Sequence, residues 1–146
     1  MNVYLLDANL LIALFWPAHH RHGIAMRWFA RRRSLGWATC PLTQAAFVRI
    51  VSNPSFSRDA VQPREAIQIL CANTAAKEHR FWADDQSLAQ AVAFAGPRLL
   101  GHQQVNDAYL LGLALHRGGI LATLDEGIVA LTEPDSPASA ALEIVV

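Results

Sequence analysis

Val3-Tyr4-Leu5-Leu6-Asp7-Ala8-Asn9 sets the fold: four apolar side chains in a row stop at a carboxylate, and a second apolar stretch, Leu10 to Phe15, begins three residues later. A short apolar run without alternation is the pattern of a strand buried on both faces, which is the situation of strands in parallel sheets. The same device returns at Ile120-Leu121-Ala122-Thr123-Leu124-Asp125. Between and around these runs the spacing predicts strands over Gly36–Thr39, His79–Ala83 and Leu142–Val146. Helices are predicted over Asn9–Phe15, His19–Arg33, Pro41 to about Ser52, Pro63–Ala76, Gln86–Ala95, Val105–Arg117 and Glu126–Leu131. Pro17, the Asn53-Pro54 pair, Gly96-Pro97 and Gly118-Gly119 supply the stops. Strands alternating with helices imply an α/β fold with a small central parallel sheet covered on both faces. Ligands of such sheets bind beyond the carboxyl ends of the strands, near the point where strand order reverses. Asp7 and Asp125 both occupy carboxyl ends.

Two further polar residues are at odds with their surroundings. Asp107 begins Asp107-Ala108-Tyr109-Leu110-Leu111-Gly112-Leu113-Ala114, where helical spacing sets it on one face with Leu110, Leu111 and Ala114. Gln44 lies within Pro41-Leu42-Thr43-Gln44-Ala45-Ala46-Phe47-Val48 and by the same rule aligns with Phe47, Val48 and Val51. Each has a plain alternative: a helix cap for Asp7 and Asp107, a turn acid for Asp125, a satisfied core amide for Gln44. A carboxylate on an apolar face is nevertheless costly without compensation. Three in one small chain suggest a shared compensator, for which a divalent metal is the obvious choice. Oxygen-only ligands suit Mg²⁺ or Mn²⁺. No serine or cysteine nucleophile constellation stands out, so a metal-activated water is the economical chemistry.

The ordered set Leu5-Leu6-Asp7-Ala8-Asn9, Thr43-Gln44 heading a helix through Phe47-Val48-Arg49, Asn106-Asp107-Ala108 and Ala122-Thr123-Leu124-Asp125 resembles the PIN-domain ribonucleases, most closely the VapC toxins of bacterial toxin–antitoxin pairs. Phe81-Trp82-Ala83-Asp84-Asp85 and Arg98-Leu99-Leu100-Gly101-His102 also resemble one branch of these toxins. The resemblance spans essentially the whole chain. It implies a PIN-like three-layer α/β/α sandwich and a metal-dependent endoribonuclease cutting single-stranded or looped RNA, such as tRNA or rRNA loops. It further implies metal ligation by Asp7, Asp107 and Asp125, support from Asn9 and Thr123, a homodimer, and a small VapB-like antitoxin that covers the site. At Gln44 the family usually carries a glutamate. An amide can orient a water or ligate through its carbonyl oxygen, but it supplies no charge and no base.

Composition sets the outer bounds. With 146 residues, 53% apolar and 16% charged, the expectation is one globular domain over residues 1–146. The formal net charge of zero offers no global basic field for nucleic acid. Cys40 and Cys71 lack a CxxC spacing and read as two buried free thiols. The apolar stretch from Val3 to Trp16 has no basic leader, is interrupted by Asp7 and Asn9, and is too short to span a bilayer. A cytoplasmic protein with no membrane partner is expected. His19-His20-Arg21-His22 could ligate metal but reads as a solvated helix start. Arg27, Arg31, Arg32 and Arg33 could hold phosphates but read as a solvated helix face. Asp84-Asp85 could supply an outer acid but read as a turn. Two rivals remain: a non-catalytic interaction domain weakened at Gln44, and an aspartate-nucleophile phosphohydrolase. The latter wants a second acid where Asn9 stands and a lysine after a later strand, whereas the lone lysine is Lys77.

Overall fold

The computed structural model describes residues 2–146. Its elements are β1 (Tyr4–Leu6), α1 (Ala8–Phe15), α2 (His22–Arg32), β2 (Trp37–Thr39), α3 (Pro41–Val51), α4 (Pro63–Thr74), β3 (His79–Phe81), α5 (Leu88–Val92), α6 (Val105–His116), β4 (Ile120–Thr123), α7 (Pro137–Ala140) and β5 (Leu142–Ile144). The five strands form one sheet in the order β3-β2-β1-β4-β5, every pairing parallel. The chain winds outward from β1 through β2 to β3, then crosses back to the other side of β1. The reversal of strand order therefore lies between β1 and β4, where Asp7 and Asp125 leave the sheet.

Side chains alternate across the sheet. Tyr4 and Leu6 enter one core with α1, α2, α3 and α4, while Leu5, Ala38 and Leu121 enter another with α5, α6 and α7. The result is the expected three-layer α/β/α sandwich. The layer containing α6 is tight. A Cβ on Gly112 would overlap the Ala91 carbonyl of α5, so glycine is what lets the two helices meet. Among the described residues, no helix is long and apolar enough to cross a membrane.

Several boundaries differ from expectation. The helix expected from His19 begins at His22, because Trp16, His19 and His22 first close successive turns. The helix expected over Gln86–Ala95 is α-helical only over Leu88–Val92. It starts where the Ser87 side chain accepts from Gln90 N–H, then tightens to 3-10 turns that are broken by a kink at Gly96, whose φ of 51° is not helical. Glu126–Leu131 is 3-10 rather than α-helical. The short α7, capped by Ser136 with Pro137 in its first turn, is not anticipated by periodicity, which needs more than four residues to register. Cys71 is exposed, contrary to expectation. The buried stripe of α4 is Ala66 and Leu70, and Cys71 lies one step around the helix from it.

Candidate active site

The site grows from the ends of β1 and β4. Asp7 caps α1: its Oδ1 accepts from Ala8 N–H at 2.8 Å, and its Oδ2 accepts from the Thr123 hydroxyl at 2.8 Å. Thr123 Oγ1 also accepts from Asn9 Nδ2 at 3.2 Å and from Asp125 N–H at 3.0 Å. Asn9 Oδ1 in turn accepts from Leu124 N–H at 3.1 Å. Asn9 and Thr123 thus lock the two strand ends together and aim the Asp7 carboxylate. Asp125 is exposed and accepts from Gly127 N–H at 2.8 Å. For Asp7 and Asp125 the capping role and a place beside the other acids hold at once.

Asp107 arrives from the first turn of α6, which runs back toward the sheet and so presents its N-terminus at the carboxyl ends of the strands. Asp7 and Asp107 line one cavity of about 130 Å³, together with Asn106 and, from α3, Thr43 and Arg49. Asp125 is outside this lining, but its charge reaches both acids. Burial raises the Asp7 carboxyl above its ordinary range, with Asp125 adding to the effect. Burial, then the charges of Asp7 and Asp125, push Asp107 up to about 6. Neither Asp107 nor Arg49 is in an ion pair among the described residues.

This donor set fits a hard divalent ion. A half-buried carboxylate without an ion-pair partner faces a second one, and both present only oxygen. Among the described residues no three of His, Cys, Asp or Glu gather closely enough to hold an ion by themselves. Mg²⁺ commonly takes one or two protein carboxylates and completes its octahedron with waters and substrate phosphate.

The strained carboxyl of Asp107 has a measurable consequence in metal-free protein. Its folded-state pKa, about 6, lies above the ordinary 3.8, so the folded chain holds this proton more tightly than the unfolded chain. The group's contribution to stability is full below the lower value and is lost as pH rises through the upper one. With EDTA present, Asp107→Asn should melt above the parent at neutral pH, and the gap should close as pH falls toward about 4. A gap that does not change with pH would show that Asp107 is not strained.

Gln44, expected beside the acids, lies elsewhere. Its Nε2 donates to Thr39 Oγ1 at 2.9 Å, leaving the Thr39 hydroxyl to donate to His79 Nε2 at 2.7 Å. Burial lowers the His79 pKa, consistent with a neutral acceptor ring. The physical reason is helical phase. The buried stripe of α3 is Thr43, Phe47 and Val51, not the face through Gln44, and Gln44 opens onto a groove between α3 and α4. Arg49 is the residue sequence reasoning passed over. It stands six residues, under two turns, beyond Thr43 on the cavity side, so the spacing Thr43, Ala46, Arg49 was the available signal.

Several of the other polar candidates are already paired. Asp85 pairs with Arg117 at 3.0 Å. Arg32 and Arg33 pair with Glu143 and Glu78, each at 3.5 Å. Lys77 precedes β3 and so lies at the end of the sheet opposite Asp7, which removes the phosphohydrolase rival.

A PIN domain family model matches residues 4–133. Ribonuclease VapC38 of Mycobacterium tuberculosis (strain ATCC 25618 / H37Rv) is 44% identical over 135 residues, covering 91% of this chain and 94% of that protein. Ribonuclease VapC39 of the same strain is 40% identical over 141 residues, covering 97% and 98%. Ribonuclease VapC29, also of that strain, is 41% identical over 127 residues, covering 87% and 89%. The crystal structure of PAE2754 from Pyrobaculum aerophilum aligns with a TM-score of 0.61 over 98% of this chain and 84% of that one; at 19% identity the likeness is one of fold.

Proposed function

The chain belongs to the PIN-domain family, and from that premise we propose that it is a Mg²⁺- or Mn²⁺-dependent endoribonuclease, the toxin of a VapBC-type pair. The observation that carries this is the shared cavity of Asp7 and Asp107, where burial raises both carboxyls and the charge of Asp7 adds to the rise at Asp107, a burden that an ion would relieve. Asp7 and Asp107 would hold the ion, with Asp125, outside the cavity lining but acting on both through its charge, as the third acid. When bound, the ion would polarise the scissile phosphate and acidify a water. Asn9 and Thr123 hold Asp7 in orientation, so the ligand does not have to reorganise. Arg49, at the cavity wall without an ion pair, would steady a non-bridging phosphate oxygen with charge-assisted hydrogen bonds. Hydrolysis forms a P–O bond to the water oxygen and breaks the ester P–O bond, with the water's proton ending on the departing ribose oxygen.

The substrate would be single-stranded or looped RNA, tRNA and rRNA loops being the expected targets. A VapB-like antitoxin would cover the cleft, and the toxin would be a cytoplasmic homodimer. The rival interaction-domain function rests on Gln44, which is absent from the lining of the acid cavity and donates to Thr39 instead.

Purified protein should cleave total RNA with Mg²⁺ or Mn²⁺, stop on addition of EDTA, and resume when metal is restored. Arg49→Ala should slow cleavage by about tenfold or more, as for loss of a charge-assisted contact in a transition state. Sequencing the new RNA 5′ ends identifies the target. Cleavage that is equally fast in EDTA would exclude the metal mechanism.

A further inference from the structure

One motif is left over from the sequence: His19-His20-Arg21-His22 after Trp16-Pro17. In the structure it does not form a metal site. It builds a cavity of about 390 Å³ whose walls are Trp16, His19, His20, Phe56, Ala18 and Ser57. Four of the six are aromatic. The His19 and His20 rings stack at 4.6 Å and 21°, and Trp16 meets Phe56 edge to face at 5.4 Å and 71°. Trp16 is only half-buried, whereas Trp28, Trp37 and Trp82 are buried. His20 is exposed.

This cavity is joined to the acid cavity by a chain of shared walls. Arg49 belongs to both the acid cavity and the groove between α3 and α4. Ser52 and Pro54 continue from that groove into a hollow that holds Arg58, and Ser57 passes from there into the aromatic cavity. Along α3 alone, Thr43 to Ser52, the path covers about 14 Å. No aspartate or glutamate lines it beyond Asp7 and Asp107, and its cations are Arg49 and Arg58.

We propose that this path is a track for single-stranded RNA and that the pocket of Trp16, His19, His20 and Phe56 receives an unpaired base remote from the scissile phosphate. The assignment rests on the ribonuclease function above. Stacked rings offer a π-face that any base can cover, and Arg49 and Arg58, neither of them in an ion pair among the described residues, suit a polyanion although Asp59 follows Arg58 in the chain. An apolar helix would be served by the α3–α4 groove alone and would gain nothing from a polar-edged histidine pair or from Arg58. The pocket would lengthen the RNA read beyond the few nucleotides that touch the acids, adding affinity without touching the chemistry.

The test uses the full chain in EDTA, where RNA binds but is not cut, with a mixed-sequence single-stranded RNA dodecamer as probe. RNA should quench the parent's tryptophan emission, because Trp16 is the tryptophan a base can reach, and Trp16→Phe should remove most of that quenching. His20→Ala, an exposed change that should leave the melting temperature unaltered, should weaken RNA binding about tenfold. The same variant should bind an abasic RNA of equal length as the parent does. With Mn²⁺ restored, the loss should fall in KM rather than kcat. Unchanged affinity in His20→Ala, or quenching that persists in Trp16→Phe, would overturn the base pocket while leaving the ribonuclease assignment standing. A parent that neither binds nor cuts RNA would overturn both, and would leave the aromatic cavity to a protein partner.

Discussion

Asp7→Asn and Asp107→Asn should each reduce RNA cleavage by a factor on the order of 10²–10³, the scale seen when one pre-set electrostatic contact to a transition state is lost. Each substitution removes a charge and almost no volume. Growth arrest on expression without a partner should disappear with the activity. The two variants should differ in fold stability. Asp107→Asn relieves a repelled carboxyl and should raise the melting temperature of metal-free protein at neutral pH. Asp7→Asn disturbs a cap: Asp7 accepts from both Ala8 N–H and Thr123, and an amide retains only one acceptor oxygen. That variant should gain little or lose slightly. If both variants cut RNA as fast as the parent, these acids do not bind the catalytic ion.

Gly112→Ala should be the most damaging of the glycine-to-alanine changes, because its Cβ meets the nearest backbone atom. The new carbon would overlap the carbonyl of Ala91, which is backbone held within α5 and cannot rotate away. Either α5 and α6 separate or both bend. Overpacking usually costs about 1–3 kcal/mol, and a clash with helix backbone belongs at or above the top of that range. Urea denaturation should show a lower midpoint at unchanged slope. Because α6 carries Asp107 in its first turn, any surviving fold should also bind Mn²⁺ more weakly. A variant as stable as the parent would mean that α5 yields freely.

What could be seen in the sequence, and what could not, follows from the length scale of each signal. Asp7, Asp107 and Asp125 stood out because each interrupts or bounds an apolar run, and burial of charge is improbable enough to mark a residue by itself. The sandwich was legible for a similar reason, since unbroken apolar runs alternating with amphipathic helices leave few architectures. Gln44 shows where this fails. Helix α3 has apolar residues on most of its circumference: Leu42, Phe47, Val48, Ile50 and Val51. Its phase is therefore ambiguous by one position, and one position is about 100° of rotation. The structure puts Thr43, not Gln44, on the cavity side. The same one-step ambiguity hid Arg49 and misplaced Cys71. The 3-10 ends and α7 escaped because their stability comes from single caps, Ser87 and Ser136, whose side-chain bonds have no periodic signature.

The hydrogen bond from Thr123 to Asp7 also carries a consequence in time. The donor is made 116 residues after the acceptor. A growing chain emerges N-terminus first, so through most of its own synthesis Asp7 has no Thr123 to aim it, Asn9 has no Leu124 to brace it, and β1 has no β4 beside it. The acid pair can be assembled only when β4 has emerged. The carboxylate at the end of β1 is thus among the first parts of the site to be made and waits for residues made 116 positions later to be held in place.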